Sequence, residues 1–186
     1  MSEPRQPDPA VLVLGVLSTR ADDRIAALAL CEQEFGPVHA RFGPVPFSWS
    51  KYYDGEMGSG IVREWIVFGN LVDPGRLPGL KLFTNSVEQR YATDGRRSVN
   101  LDPGLLTLWN LVLATGKPRH QRVYVGQGIF GDLTLIYHTS AYRELPWTYR
   151  DWAGPDVREL LGHARQQLLE QDSGNVRRST NEETQA

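Results

Sequence analysis

The residues best suited to chemistry crowd between Lys81 and Lys117. The chain holds three lysines (Lys51, Lys81, Lys117) against seventeen arginines. A retained lysine in so arginine-rich a chain hints at a chemical choice, because a compact ammonium is not equivalent to a guanidinium fork. At 100° per residue, Lys81, Asn85 and Glu88 fall within about 60° of one another on a helix. A cation, an amide and a carboxylate in one row could orient a polar ligand. The simpler reading of the row is a solvated helix face with intrahelical pairing.

Three further groups bear on the same question. In Arg97-Ser98-Val99-Asn100-Leu101-Asp102, an extended backbone puts Asn100 and Asp102 on one face and Arg97, Val99 and Leu101 on the other. Asp102-Pro103 also reads as a helix start, with Asp as cap and Pro at the first helical position. Capping therefore explains Asp102, whereas Asn100 is either a turn residue or a ligand contact. In Lys117-Pro118-Arg119-His120-Gln121-Arg122, four cations could hold a phosphate or carboxylate, and a solvated basic turn explains them as well. In Asp132-Leu-Thr-Leu-Ile-Tyr-His138, Asp132, Thr134 and His138 share a strand face, expected to be the wet side of a sheet.

These residues need a scaffold. Val11 to Leu17 is an apolar run suited to a buried strand. A helix with Ile25, Leu28, Cys31 and Phe35 on one face follows, capped by Ser18 or Thr19 and stopped at Gly36-Pro37. Pro44 and Pro46 confine the stretch 38–49 to a sheet edge, and 61–68 is a strand. Leu80 to Tyr91 reads as a helix burying Leu80, Phe83, Val87 and Tyr91. Leu105 to Thr115 is apolar nearly all round and is predicted to be a buried helix ending at Gly116. Gly126-Gln127-Gly128 reads as a hairpin turn between two strands. A last amphipathic helix follows Pro155. The order β-α-β-β-α-α-β-β-α predicts an α+β domain, with helices packed on one face of a mixed, mostly antiparallel sheet. A ferredoxin-like split βαβ core can be accommodated within it. One domain over 10–170 is expected, with disordered tails at 1–9 and 171–186.

Composition closes several doors. Apolar residues at 40% and charged residues at 23% are ordinary globular values, and a net charge of −2 gives no electrostatic case for nucleic acid. No apolar run approaches a membrane span, and the acidic, proline-rich start is unlike a signal peptide, so a cytoplasmic protein without a membrane partner is expected. The single Cys31 excludes a disulfide framework and a cysteine-based zinc site. No P-loop, nucleophile elbow or His-Glu-x-x-His helix is present, and the four histidines are scattered. No haem motif stands out. Mg²⁺ is compatible with the carboxylates, but no metal ligand is assigned.

The segments Phe47-Ser-Trp-Ser-Lys-Tyr-Tyr-Asp-Gly-Glu-Met-Gly, Lys81-Leu-Phe-Thr-Asn, Val99-Asn-Leu-Asp-Pro-Gly, Leu111-Val-Leu-Ala-Thr-Gly-Lys, Gly128-Ile-Phe-Gly-Asp-Leu-Thr-Leu-Ile-Tyr and Leu145-Pro-Trp-Thr-Tyr resemble the bacterial domain of unknown function 4416 family. The resemblance runs from about Val11 to Trp152. It implies a small cytoplasmic bacterial protein without an established activity. Some relatives carry a GTP-binding label, which this chain supports with no Walker loop. The sequence departs from the family pattern at Leu105, Asn110 and Asp132, where an aromatic, a Lys and a Glu are usual. The resemblance lends weight to Lys81, Asn85, Asn100, Asp102 and Lys117 as a set and assigns them no roles.

Two expectations about function follow. In the first, a site takes an anionic small molecule, phosphorylated or nucleotide-like. Lys81, Lys117 and Arg122 neutralise it, Asn85 and Asn100 orient it, and Glu88 or Asp102 acts as base or holds a divalent cation. The aromatic loops carrying Tyr53 and Trp147 would wall the pocket. In the second, the chain is a non-catalytic interaction module, its polar motifs are caps and turns, and Tyr53 and Trp147 form a partner surface. The first reading accommodates an enzymatic or a sensory site. Convergence of Lys81, Asn100 and Lys117 on one place separates the two readings.

Overall fold

A computed structural model describes the backbone of residues 3–183 and the side chains of residues 3–170. Residues 3–9 are exposed and carry no helix or strand. Side chains of the expected tail at 171–186 lie outside the described residues.

In chain order the elements are β1 (Ala10–Ser18), α1 (Ala21–Phe35), β2 (Val38–Pro46), α2 (Asp54–Met57), β3 (Val62–Val72), α3 (Leu77–Arg90), β4 (Ala92–Thr93), β5 (Arg96–Arg97), β6 (Val99–Leu106), β7 (Asn110–Thr115), β8 (Arg122–Gly126), β9 (Ile129–His138), β10 (Ala141–Glu144) and α4 (Pro155–Glu183). The class is α+β, as expected. Eight strands form one sheet in the order β10-β9-β7-β6-β1-β3-β2, with β8 also paired to β9. Every paired neighbour is antiparallel. β3 lies between β1 and β2, which α1 joins in sequence. β1 likewise lies between β3 and β6, which α3 joins.

β1 is central and apolar on both sides, so its alternate residues serve two cores. Leu12, Leu14 and Val16 pack with Ala27, Leu28, Cys31 and Phe35 of α1 and Leu80 and Val87 of α3. Val11 and Val13 pack on the other face with Trp65, Val67, Leu160, Leu161 and Ala164, the last three from α4. Each fully buried aliphatic side chain contributes about 1.5–3 kcal/mol. Helices therefore cover both faces, α1 and α3 one and α4 the other, rather than a single face. Ile25, expected on the buried side of α1, is exposed, and Ala27 takes its place. Gly36 ends α1 with φ 96°, its N–H bonded to Glu32 O. No helix among the described residues is long and apolar enough to cross a membrane.

The predicted buried helix at 105–115 is instead the end of β6, a tight turn and β7. Its nearly continuous apolar run fits a pair of buried strands as well as a buried helix, because periodicity alone does not separate them. Thr107 makes the turn. Its hydroxyl accepts from the Trp109 and Asn110 amides, at 3.1 Å each, and Thr107 N–H donates to Asn110 O at 2.8 Å. Asp102 is thus a strand residue and not a helix cap.

Pro103 explains where this hairpin stops. β6 pairs with β7 only through Gly104, Leu105 and Leu106. The backbone groups of Leu101, Pro103 and Leu105 all point toward the β7 side, since this direction repeats every second residue of a strand. Pro103 has no N–H to give, so the ladder ends there and the sheet opens between the first half of β6 and the end of β7. Gly104 lets the strands meet just before the opening, because a Cβ there would lie 2.6 Å from a Leu113 methyl.

Candidate functional site

The opening left by Pro103 is filled by side chains of α3. Leu101 O accepts from Lys81 Nζ at 2.7 Å, and Leu101 N–H donates to Glu88 Oε1 at 2.7 Å. Lys81 and Glu88 lie two turns apart on one helix face, so together they replace the missing strand partner. Both are almost wholly buried, with exposures of 6% and 5%. The reading of this row as a solvated face is therefore wrong. α3 is covered on that side too, because it lies across the open edge of β6.

Lys81 Nζ also lies 3.4 Å from Asp102 Oδ1 and 3.6 Å from Glu88 Oε1. Asn100 Nδ2 donates to Asp102 Oδ2 at 2.7 Å. Arg63 of β3 approaches the same carboxylate at 3.9 Å and pairs through Nε with Asp151 at 3.0 Å. Its guanidinium lies over the rings of both Trp65 and Trp152, 5.3 and 5.4 Å from their centroids. Gly15 makes that placement possible, since a Cβ there would come within 2.5 Å of Arg63 Nη2 and 2.8 Å of Trp152. Arg97 of β5 joins Glu88 to Glu56 of α2. Lys81, Glu88, Asn100 and Asp102 thus form one connected group, while Arg63, Arg97, Glu56 and Asp151 complete it.

Burial raises the Asp102 carboxyl, but the Lys81 and Arg63 cations and the hydrogen bonds from Asn100 and Lys81 outweigh it and hold it below the usual aspartate range. Glu88 goes the other way. Burial and nearby Asp102 raise it despite Lys81, Arg97 and the Leu101 amide. Asp151 is also raised, by burial first and then by Asp102, against Arg63. Carboxylates held apart in this way are a common feature of functional sites. Both Glu88 oxygens are occupied, so Glu88 anchors β6. Asp102, whose side chain retains 26% exposure against 8% for Lys81 and 7% for Glu88, is the most solvent-accessible of the three. Held low, it is a weak base and a strong hydrogen-bond acceptor.

A second cluster adjoins the first. Arg122 Nε pairs with Asp132 Oδ2 at 2.7 Å, Nη1 donates to Lys117 O and Nη2 donates to the Tyr149 hydroxyl. Arg122 is thus committed to three segments rather than free for a ligand. Asp132, expected on the wet face, is 3% exposed and sits in this pair. Lys117 is exposed, and its ammonium donates to the Tyr52 hydroxyl at 2.7 Å. That bond and the nearby cation lower the Tyr52 titration. The Tyr52 ring meets Tyr53 edge-on at 5.2 Å. Tyr53 is half-buried and its titration is pushed up by burial and by Asp102. Tyr149 is raised by burial, with Asp132, Asp102 and Asp151 adding to it against Arg122. The segment around α2 therefore runs from Lys117, which Tyr52 meets, to Arg97, which Glu56 meets.

Of the three residues expected to converge, Lys81 and Asn100 meet at Asp102, whereas Lys117 has, among the described residues, no hydrogen bond, ion pair or ring contact with them and reaches Tyr52 instead. Asn85 and Trp147 also stand apart. Asn85 is half-buried on the Lys81/Glu88 side of α3 and has no polar partner among the described residues. Trp147 donates from Nε1 to Leu133 O at 2.8 Å and touches none of the Asp102 group. Among the described residues no three His, Cys, Asp or Glu side chains gather to hold a metal ion.

The family model described as "Domain of unknown function (DUF4416)" matches residues 8–168. The chain belongs to the DUF4416 family. The match spans every strand of the sheet and both halves of the polar cluster. No curated protein and no solved structure matches this DUF4416 chain. Arg63, Arg97, Asp151, Glu56 and Tyr149 of this DUF4416 domain were not singled out by their sequence pattern. Arg63 left one signal, in that it and Glu64 are the two charged residues in the strand run 61–68. Asp151 and Glu56 lie in loops with no such mark.

Proposed function

We propose that this DUF4416 protein binds a small anionic molecule that also carries a hydrogen-bond donor, at the mouth of the opening between β6 and β7. Asp102 accepts the donor, Lys117 meets the anion, and the Tyr52–Tyr53 segment covers the bound molecule. Asn85 supplies an unpaired amide from the α3 side. Lys81, Asn100, Glu88 and Arg63 position Asp102 and do not themselves touch the ligand.

The observation that carries this reading is the meeting of Lys81, Asn100, Asp102 and Glu88 at the one place where β6 lacks a strand neighbour. A buried ion network costs several kcal/mol of desolvation, and apolar side chains of similar size usually serve stability as well or better. A fold that needed only to close its sheet had a simpler solution. The charges balance: Lys81, Lys117, Arg63, Arg97 and Arg122 face Glu56, Glu88, Asp102, Asp132 and Asp151. A bare polyanion is therefore a poorer match at this site than a molecule offering both an anion and a donor. A thermal-shift panel of sugar phosphates, amino acids and nucleotides, with and without Mg²⁺, tests the proposal. A supporting result is stabilisation of the wild type that Lys117→Ala and Asn100→Ala both reduce. No stabilisation by any member, or equal stabilisation of the variants, counts against it.

The interaction-module reading has its own observation. Trp49, Tyr52, Trp147 and Tyr149 are all at least 39% exposed, and aromatic surface of this kind suits a protein partner. That reading leaves the buried charges of α3 and β6 without a task.

A further inference from the structure

A second cleft lies on the other side of Arg97. It is an open cleft of about 380 Å³ between the start of α1, the end of α3 and the β4–β5 ribbon, and Arg20, Arg90, Arg96 and Arg97 line it with Asp23 as the single carboxylate. Asp23 is already engaged, by Arg20 Nε at 3.3 Å and by the Ser98 hydroxyl at 2.5 Å. Arg97 is held by Glu88 and Glu56. Arg90 and Arg96 have neither an ion pair nor a hydrogen bond among the described residues. In a chain of net charge −2, two exposed, unpaired arginines lining one cleft are a local excess of positive charge.

The walls are fixed by backbone hydrogen bonds. Ser98 N–H donates to Tyr91 O and Thr19 N–H to Ser98 O, at 3.0 Å each. Arg96 is the cross-strand neighbour of Thr93. A tight turn through Asp94 and Gly95, with φ 51° and 75°, closes the ribbon. The Arg96 backbone is thereby set against the end of α3, where Arg90 sits.

We propose that this cleft is a binding site for the phosphoryl group of a phosphorylated small molecule, with Arg90 and Arg96 supplying paired, bidentate donors. Planar guanidinium forks match phosphate oxygens in geometry as well as charge, and the volume leaves room for more than one phosphate. The inference does not depend on the Asp102 site, since neither of its two principal side chains joins that network among the described residues.

Isothermal titration of inorganic pyrophosphate into the full-length protein, with ionic strength held constant by NaCl, tests it. The expected result is saturable binding that weakens at least about tenfold in the double variant Arg90→Ala/Arg96→Ala and stays within about twofold of wild type in Arg143→Ala, at an exposed arginine of β10. Arg90→Lys/Arg96→Lys should fall between, because charge is kept and the fork is lost. Absence of saturable binding to the wild type overturns the proposal. So does binding that the double alanine variant retains, or loss in Arg143→Ala as large as in the double variant.

Discussion

Replacing Lys81 by Met keeps the length of the side chain and removes its charge, and the structure allows the consequence to be worked through. The ammonium donates to Leu101 O at 2.7 Å and faces Asp102 and Glu88 at 3.4 and 3.6 Å. Its loss leaves one buried carbonyl unpaired and two carboxylates short of a counter-charge, at a position 6% exposed. Removing one partner of a buried ion pair costs about 3–5 kcal/mol. The deficit must also depend on pH. Glu88 is already raised by burial, against Lys81 and Arg97, and Asp102 is held low partly by Lys81. Without Lys81 both carboxyls rise. A carboxyl whose folded pKa lies above its unfolded value weakens the fold at higher pH, and the penalty fades as pH falls through the raised pKa. The deficit is therefore largest at neutral and alkaline pH and shrinks toward the carboxylate range. Urea denaturation followed by tryptophan fluorescence measures it, and Lys81→Met/Glu88→Gln should recover part of the loss. A deficit below about 1 kcal/mol, or one that is constant between about pH 8 and about pH 5, refutes the reasoning.

Other consequences follow from the same contacts. Gly15→Ala places a methyl against Arg63 and the Trp152 ring, and should destabilise by about 1–3 kcal/mol in chemical denaturation. Thr107→Val removes the acceptor for the Trp109 and Asn110 amides. It should cost about 1–2 kcal/mol and faster amide exchange at the turn is its local signature. Lys117→Ala removes the cation and hydrogen bond that lower Tyr52, so one tyrosine should titrate at higher pH in an ultraviolet absorbance titration. An unchanged profile would mean that the Lys117–Tyr52 contact is not populated in solution.

Much of this architecture was legible in the sequence, and the failures have physical causes. β1 and β3, the hairpin at Gly126-Gln127-Gly128 and the helices α1 and α3 announced themselves through apolar runs, turn residues and stops. The stretch 105–115 did not, because its turn is built by Thr107 rather than by glycine or proline. Asp102-Pro103 carried the signature of a helix start, yet Pro103 serves to end a strand ladder. That one difference moves Asp102 from a capping position into the centre of the buried network. For the site, Lys81, Glu88, Asn100 and Asp102 were recognisable by type, and the extended reading placed Asn100 and Asp102 on one face correctly. Their partners were out of reach. Arg63 and Asp151 meet across 88 positions of chain, and no local pattern encodes a contact of that range. Asp132 read as a wet-face residue because alternation shows which residues share a face but not which face is covered.

The central claim is that the opening beside β6 receives a ligand through Asp102 and Lys117. The most direct measurement is the equilibrium dissociation constant of the best-stabilising compound for wild type, Asp102→Asn and Lys117→Ala, read from the fluorescence of Trp65 and Trp152 beside Arg63. A loss of at least about tenfold in each variant, or about 1.4 kcal/mol, with circular dichroism unchanged, is the expected result. Affinities within about twofold of wild type in both variants would contradict the claim.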